Sequence, residues 1–296
     1  MRNKRNEWTY RMMVLPGLVF LLLFSYAPMF GIVIAFQNFI PALGIFGSPF
    51  IGLGNFRFMF DLPVVGQVFF NTVFIALLKI IAGQIVPIVF AILLSEVTRL
   101  WFKRTVQTIV YLPHFLSWVV LGTIFTQMLG LNGVVNAIIM AMGGEAIQFL
   151  GDGQWFRSII IITDVWKGFG FGTIIYLAAI LAINPNLYEA ATIDGANRFQ
   201  RIMRITIPCM APTIVLMATL SLGGVLNAGF DQIFNMYNPL VYHTSDIIDT
   251  YVYRIGLISM QYGLSTAVGL LKSLVSSVLI VLSYTLAYRF AGYRIF

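Results

Sequence analysis

Apolar residues along this chain fall into long uninterrupted blocks separated by short polar breaks. Six such blocks stand out, over residues 12–36, 68–94, 105–129, 159–183, 208–234 and 265–288. A helix rising about 1.5 Å per residue needs about 20 apolar residues to cross a hydrocarbon layer about 30 Å thick. Every block reaches that length and most exceed it, so tilted or kinked spans are expected. The blocks are continuously apolar rather than alternating, which argues against a transmembrane barrel, whose strands switch faces at each residue. The pattern therefore predicts an all-α membrane protein of six transmembrane helices, organised as a single transmembrane domain over residues 1–296. Pro28 should kink the first span and Pro113 should bend the third near His114, because each removes a backbone donor.

The longest polar stretch between two blocks is 184–212, NPNLYEAATIDGANRFQRIMRITIPCMAP. Asn184 can accept from an orphan amide at a helix start, and Pro185 suits the first turn because it has no donor to leave unpaired. Leu187, Ala190 and Ala191 then recur at helical spacing. Asp194-Gly195 supplies a stop, since glycine tolerates the left-handed conformation that ends helices. A second helix is expected from Ala196, with Phe199, Ile202 and Met203 on one side and Arg198, Arg201 and Arg204 on another. The expected product is a helix, a glycine hinge and a second helix, lying outside the bilayer.

Composition agrees: 59% of the residues are hydrophobic and only 10% charged, well outside the range of soluble domains. The net charge of +7 could suggest nucleic acid, but the cations mark topology instead. With the N-terminus inside, the inner segments hold Arg2, Lys4, Arg5, Arg11, Arg99, Lys103, Arg104, Arg198, Arg201, Arg204, Arg289 and Arg294. The outer segments hold Arg57, Arg157 and Arg254. That bias follows the positive-inside rule and places both termini and the 184–212 segment in the cytoplasm. The single Cys209 excludes an intrachain disulfide, and no Cys/His cluster has metal-binding spacing. The first apolar block is too long for a signal peptide and no small-residue cleavage site closes it, so it is expected to stay as a span.

Glu189-Ala190-Ala191, three residues, Gly195, nine residues, Ile205, one residue, Ile207 and Pro208 resembles the EAA loop of the membrane subunits of ATP-binding-cassette importers. One position departs: Ile207 stands where that pattern usually has Leu, which keeps bulk and apolarity. Gly52-Leu53-Gly54-Asn55-Phe56 resembles the Gly-Leu-x-Asn-Phe signature of sugar-type importer permeases. With 111–120, 166–180, 230–234, 237–239, 250–254 and 267–273, the chain from Gly52 onward is similar to the permeases of multiple-sugar and aldouronate importers. The resemblance implies a type I importer permease fold in a bacterial plasma membrane. It also implies a coupling loop over 184–207 that docks on a cytoplasmic ATPase through Glu189, Ala190, Ala191, Asp194, Gly195, Ala196, Arg198, Phe199 and Ile202. The implied partners are a second homologous permease subunit, a dimer of ATPase subunits, an extracytoplasmic sugar-binding protein and an oligosaccharide, often uronic-acid-containing. No G-x-x-x-x-G-K-[ST] phosphate loop occurs in the chain. ATP and Mg²⁺ are therefore expected at the partner ATPase, with no cofactor, metal or catalytic residue on this chain.

Polar residues inside the apolar blocks supply the candidate pathway. Counted inward from the outer end of each span, Lys79, Asp164, Lys167, Asn227, Asp231 and Lys272 share one depth in the outer half of the membrane. Ionisable groups there cost roughly 2.5 to 3.5 kcal/mol each on insertion scales and usually face a bundle interior or a wet cavity. They are expected to line a substrate chamber in which lysines outnumber aspartates, leaving a place for the carboxylate of an acidic sugar. Two plainer arrangements compete: Asp164 can pair with Lys167 at i and i+3, and Lys272 can snorkel. Tyr111, Trp118, Trp166 and Tyr176 can stack on sugar rings or pack as ordinary core aromatics. His114, beside the Pro113 bend, reads as a satisfied interior histidine. Alternating Gly168, Gly170 and Gly172 leave a flat helix face open to close approach. An ion-coupled secondary transporter using the intramembrane Asp and Lys residues is the alternative function. A membrane enzyme fits less well, since no nucleophile and base stand at motif spacing.

Overall fold

The computed structural model describes residues 4–291, with side-chain surroundings for 8 and 10–285. Arg2 and Arg294 lie outside the described residues, and the side-chain surroundings of Lys4, Arg5 and Arg289 are likewise not described. Helices dominate, and extended pairing among the described residues is limited to one isolated bridge between Gln37 and Phe50. Among the described residues, six helices are long and apolar enough to cross a membrane: Tyr10–Phe36, Pro63–Ser95, Trp118–Ala141, Gly153–Leu181, Arg198–Gly223 and Tyr262–Thr285. The all-helical, six-span expectation holds, and the third and fifth spans depart most from their expected bounds.

The chain divides into two compact units, one of residues 1–63 and 251–271 and one of residues 64–250 and 272–296. In the first, helix α1 (Lys4–Leu21) loosens into a π-helical turn over Leu22–Tyr26 and then a 3₁₀ stretch over Ala27–Phe36. The change of winding comes at Pro28, where an i to i−4 bond is impossible. Helix α2 (Gly54–Asp61) follows. The Asn55 side-chain amide donates to the carbonyls of Ala35 and Gln37, each at 2.9 Å, which ties α2 to the end of the first span. Gly52 takes φ +57 just before it, so the Gly-Leu-x-Asn-Phe stretch is a turn glycine followed by an anchoring amide.

The second unit begins with α3 (Pro63–Ser95), which runs unbroken through the buried Pro87. Helix α4 (Leu100–Tyr111) ends where only a bend was expected: Leu112–Phe115 form a 3₁₀ turn, Leu116 is extended, and α5 (Trp118–Leu129) restarts under a Ser117 cap. The third block is therefore two helices around a break at Pro113, and the candidate span starts at Trp118 instead of Thr105. Helix α6 (Val134–Ala141) and helix α7 (Gly153–Leu181) come next, the latter capped by Asp152. After the polar stretch, α8 (Pro185–Ile193), α9 (Arg198–Arg201) and α10 (Ile207–Gly223) lead to α11 (Phe230–Met236), and α12 (Tyr262–Ala291) closes the described chain. The fifth block is thus interrupted between Gly223 and Phe230, where a continuous span to Phe234 was expected.

Ala91, Ile92, Leu94, Tyr176, Leu177, Ile180 and Met210 form the buried core that joins α3, α7 and α10. Small residues let the helices come close, as they must where lipid offers no hydrophobic drive to association. A Cβ added at Gly170 would stand 2.1 Å from the Val110 carbonyl oxygen of α4, and one at Gly172 would stand 3.2 Å from Pro87. Gly168 faces open space. Two of the three alternating glycines therefore serve close helix approach.

Candidate substrate cavity and coupling loop

The 184–207 stretch folds from its own caps. The Asn184 side chain accepts from the Asn186 amide at 3.0 Å and Pro185 opens α8. Gly195 ends it in the left-handed region at φ +78. The next helix starts at Arg198, two residues later than expected, because Asn197 and Gln200 form a reciprocal capping box. A π-helical turn over Ile202–Thr206 joins α9 to α10. Two side-chain bonds clasp the pair of helices: Arg201 donates to the Thr192 hydroxyl at 3.0 Å, and the Tyr188 and Thr206 hydroxyls meet at 2.9 Å. Glu189, Ala190, Asp194, Arg198 and Phe199 are exposed, and Ala191, Ala196 and Ile202 are half-buried. Ile193 at 86% and Phe199 at 69% exposure leave an apolar face uncovered on an otherwise polar loop.

The second feature is a cavity of about 290 Å³ at the break in the fifth span, lined by Ala76, Lys79, Ile80, Gly83, Asp164, Ser221, Gly224, Asn227, Ala228 and Gly229. Non-helical backbone at membrane depth survives only where protein buries it or a wet cavity receives it. Both hold here. The Lys79 ammonium, on α3, donates to the Ala228 carbonyl at 2.8 Å and to the Gln232 side-chain oxygen, and it lies 3.4 Å from the Asp164 carboxylate. Gln232 is fully buried and donates to the Ile160 carbonyl at 2.7 Å and the Thr163 hydroxyl at 2.8 Å on α7. From α12, Lys272 donates to the Asn227 side-chain oxygen at 2.9 Å and pairs with Asp249 at 2.6 Å. Two lysines on two helices therefore hold the interrupted segment, and the cavity keeps Asp164, Asn227 and small residues on its wall.

A third cluster surrounds the Pro113 break. Lys167 donates to the His114 carbonyl at 2.9 Å, and its ammonium lies 5.7 Å from the centroid of the Trp118 ring. The His114 imidazole stacks on Phe171 with centroids 4.2 Å apart. The i, i+3 pairing of Asp164 with Lys167 does not form, because Asp164 turns to Lys79 and Lys167 to the freed carbonyl.

Lys79, Asp164 and Asn227 thus share one cavity, Lys272 reaches its rim through Asn227, and Lys167 on α7, His114 in the 112–115 turn and Trp118 at the start of α5 form a separate cluster. Trp166 packs edge-on against Phe125 at 5.6 Å, half-buried Tyr111 ends α4, and Asp231 lies exposed in the first turn of α11. These three join neither group. Depth counting assumed a continuous fifth helix, whereas the chain leaves the helix at Gly223; Asn227 still reaches the cavity, and Asp231 lies beyond the break in α11.

Sequence reasoning missed Gln232, Asp249 and the clamp around Arg157. The Arg157 guanidinium donates to the Thr244 carbonyl and to the Asn71 side chain, each at 2.8 Å, and covers the Phe74 ring at 5.1 Å. Asn71 is fully buried and donates in turn to the carbonyls of His243 and Asp246. The readable signal was a set of amides inside apolar runs, which need partners as charges do.

Comparison with known proteins follows the same features. Residues 83–292 match the family described as binding-protein-dependent transport system inner membrane component. The polygalacturonan/rhamnogalacturonan transport system permease protein YteP of Bacillus subtilis (strain 168) is 42% identical over 94% of this chain and 87% of its own length. A chain from the crystal structure of a bacterial ABC transporter involved in the import of the acidic polysaccharide alginate superposes with a TM-score of 0.89, at 37% identity over 97% of both chains. The structure of the bacterial alginate ABC transporter in complex with an alginate pentasaccharide-bound periplasmic protein gives 0.88, also at 37% identity, over 96% of both. The family match runs through the capped helix pair and the whole of the interrupted span, so this multi-pass membrane chain belongs to the binding-protein-dependent transport system inner membrane components.

Proposed function

We propose that this chain is one of two permease subunits of an ATP-driven importer that carries oligosaccharides, acidic ones in particular, by alternating access. The observation that carries the reading is the clasped helix pair at 184–207. It is capped at both starts, hinged at a left-handed glycine, and stitched by Arg201–Thr192 and Tyr188–Thr206, yet it leaves Ile193 and Phe199 uncovered. A stiff lever with an apolar end suits docking in a groove of a cytoplasmic ATPase. Closure of an ATPase pair around its nucleotide would move the lever as a rigid body and rock the spans around the cavity. Asp164 and Asn227 would bind sugar hydroxyls there, and the substrate would arrive from an extracytoplasmic binding protein. Relatives whose printed names concern polygalacturonan and alginate support an anionic cargo. The inner-side excess of cations supports cytoplasmic termini.

The test is uptake and ATPase activity of the purified complex carrying Glu189→Ala or Gly195→Pro. The expected result is loss of most uptake while the permease stays in the membrane and the ATPase still turns over. Unimpaired uptake in both variants overturns the coupling assignment. Full activity of the chain purified alone, driven by an ion gradient, would favour a secondary carrier.

A further inference from the structure

An ammonium carries three donors, and the lysines inside the spans use theirs differently. Lys79 has all three engaged, by the Ala228 carbonyl, the Gln232 side chain and the Asp164 carboxylate, with its side chain 8% exposed. Lys272 spends two, on Asn227 and on the carboxylate of Asp249. Lys167 is the exception. Its one hydrogen bond goes to the neutral His114 carbonyl, and no carboxylate among the described residues lies within ion-pairing distance of it. Ionisable groups in membrane spans pair with one another or with backbone carbonyls, and of these three lysines only Lys167 rests on a carbonyl with no carboxylate beside it. The ammonium also stands 5.7 Å from the centroid of the Trp118 ring.

We propose that Lys167 selects the carboxylate of an acidic sugar, with the Trp118 indole as the platform for the pyranose face, and that Lys79 and Lys272 hold the protein rather than the cargo's charge. This rests on the reading of the chain as an importer of acidic oligosaccharides. Lys167 stands three residues beyond Asp164 on α7, about 4.5 Å of helix rise further in. Neither Lys167 nor Trp118 lines the cavity, so on this proposal they meet the ring next to the one whose hydroxyls occupy it. The arrangement separates two tasks: the cavity, with Lys79 and Asp164 in balance, accepts neutral hydroxyls, and the Lys167 site reads charge.

The experiment uses the complete complex, with its partner permease, ATPase and binding protein, in proteoliposomes. Uptake of a short oligogalacturonate and of its methyl ester is compared for the wild type and for Lys167→Met, Lys167→Arg, Lys79→Met and Lys272→Met. The expected result is that Lys167→Met lowers uronate uptake about tenfold or more, the loss of one charge-assisted bond, and leaves the ester within about twofold. Lys167→Arg keeps the preference, and the other two variants lower both substrates alike. The ester serves as the internal control for folding and assembly. Equal loss of both substrates in Lys167→Met, or no loss of either, overturns the proposal while the acidic-importer reading stands. A wild type that carries the ester and rejects the uronate overturns that reading, and the proposal with it.

Discussion

At the scale of single residues, the molecule turns on polar groups that find partners across helices. Lys79 shows the logic: a cation inside a span is tolerable because a carboxylate, a side-chain amide and a freed carbonyl surround it. Lys79→Met should cost about 1.5–3 kcal/mol, the range for hydrogen bonds to charged groups, and should lower the melting temperature of the purified complex. A double-mutant cycle with Gln232→Leu should show a coupling of about 0.5–3 kcal/mol, since the two side chains touch; strict additivity of the two melting shifts would deny the network. Gly170 is a residue of the opposite kind, valuable for what it lacks. Because the clash in Gly170→Ala is with the Val110 backbone, the helices must part, and about 1–3 kcal/mol of overpacking cost is expected in the same assay. Gly168→Ala meets nothing within 4 Å and should leave the melting point unchanged. Lys79, Asp164, Lys167, Asn227 and Lys272 were legible in the sequence as polar residues inside apolar runs, while Gln232 and Asp249 were not singled out. Which groups the five would meet was not legible, because Lys79 and Ala228 lie 149 residues apart in the chain.

Elements carry the next level. Caps and breakers announce most of them: Asn184-Pro185, Gly195, Pro113 and Ser117 all act at or beside the positions their chemistry suggests. The fifth span is the instructive exception. Gly223-Gly224 sat in plain view in an apolar run, yet local propensity alone does not tell a tolerated glycine from a chain break. What decides it is Gly229 at φ +95, with Lys79 beside it. Gly229→Ala is expected to cost about 1–3 kcal/mol, because the residue must hold a left-handed conformation and its Cβ would stand 2.9 Å from the Lys79 ammonium. Uptake should fall with stability, and an unchanged melting curve would show that the break does not need this conformation. In the 184–207 helix pair, Asn197→Ala removes the capping box and should cost about 1 kcal/mol of local stability. Faster amide exchange over 198–201 than in the wild type is the readout.

For the whole molecule, orientation and assembly are the open physical quantities. The cation bias predicts that a reporter fluorescent only in the cytoplasm lights up when fused beyond residue 296 and stays dark when inserted in the 238–246 loop; the reverse pattern would invert the topology. Block length and apolarity alone determined that this chain is helical, membrane-spanning and six-fold in its crossings, because a bilayer leaves few other solutions for such runs. Local chemistry likewise determined the capped, hinged loop. Only the tertiary structure decided that the fifth span opens, that Asp164 answers Lys79 instead of Lys167, and that Lys167 is left facing an indole without a carboxylate. Those choices depend on which helices lie side by side. Pairing energies between groups on different helices are set by distance and burial, neither of which is written in the order of residues along one span.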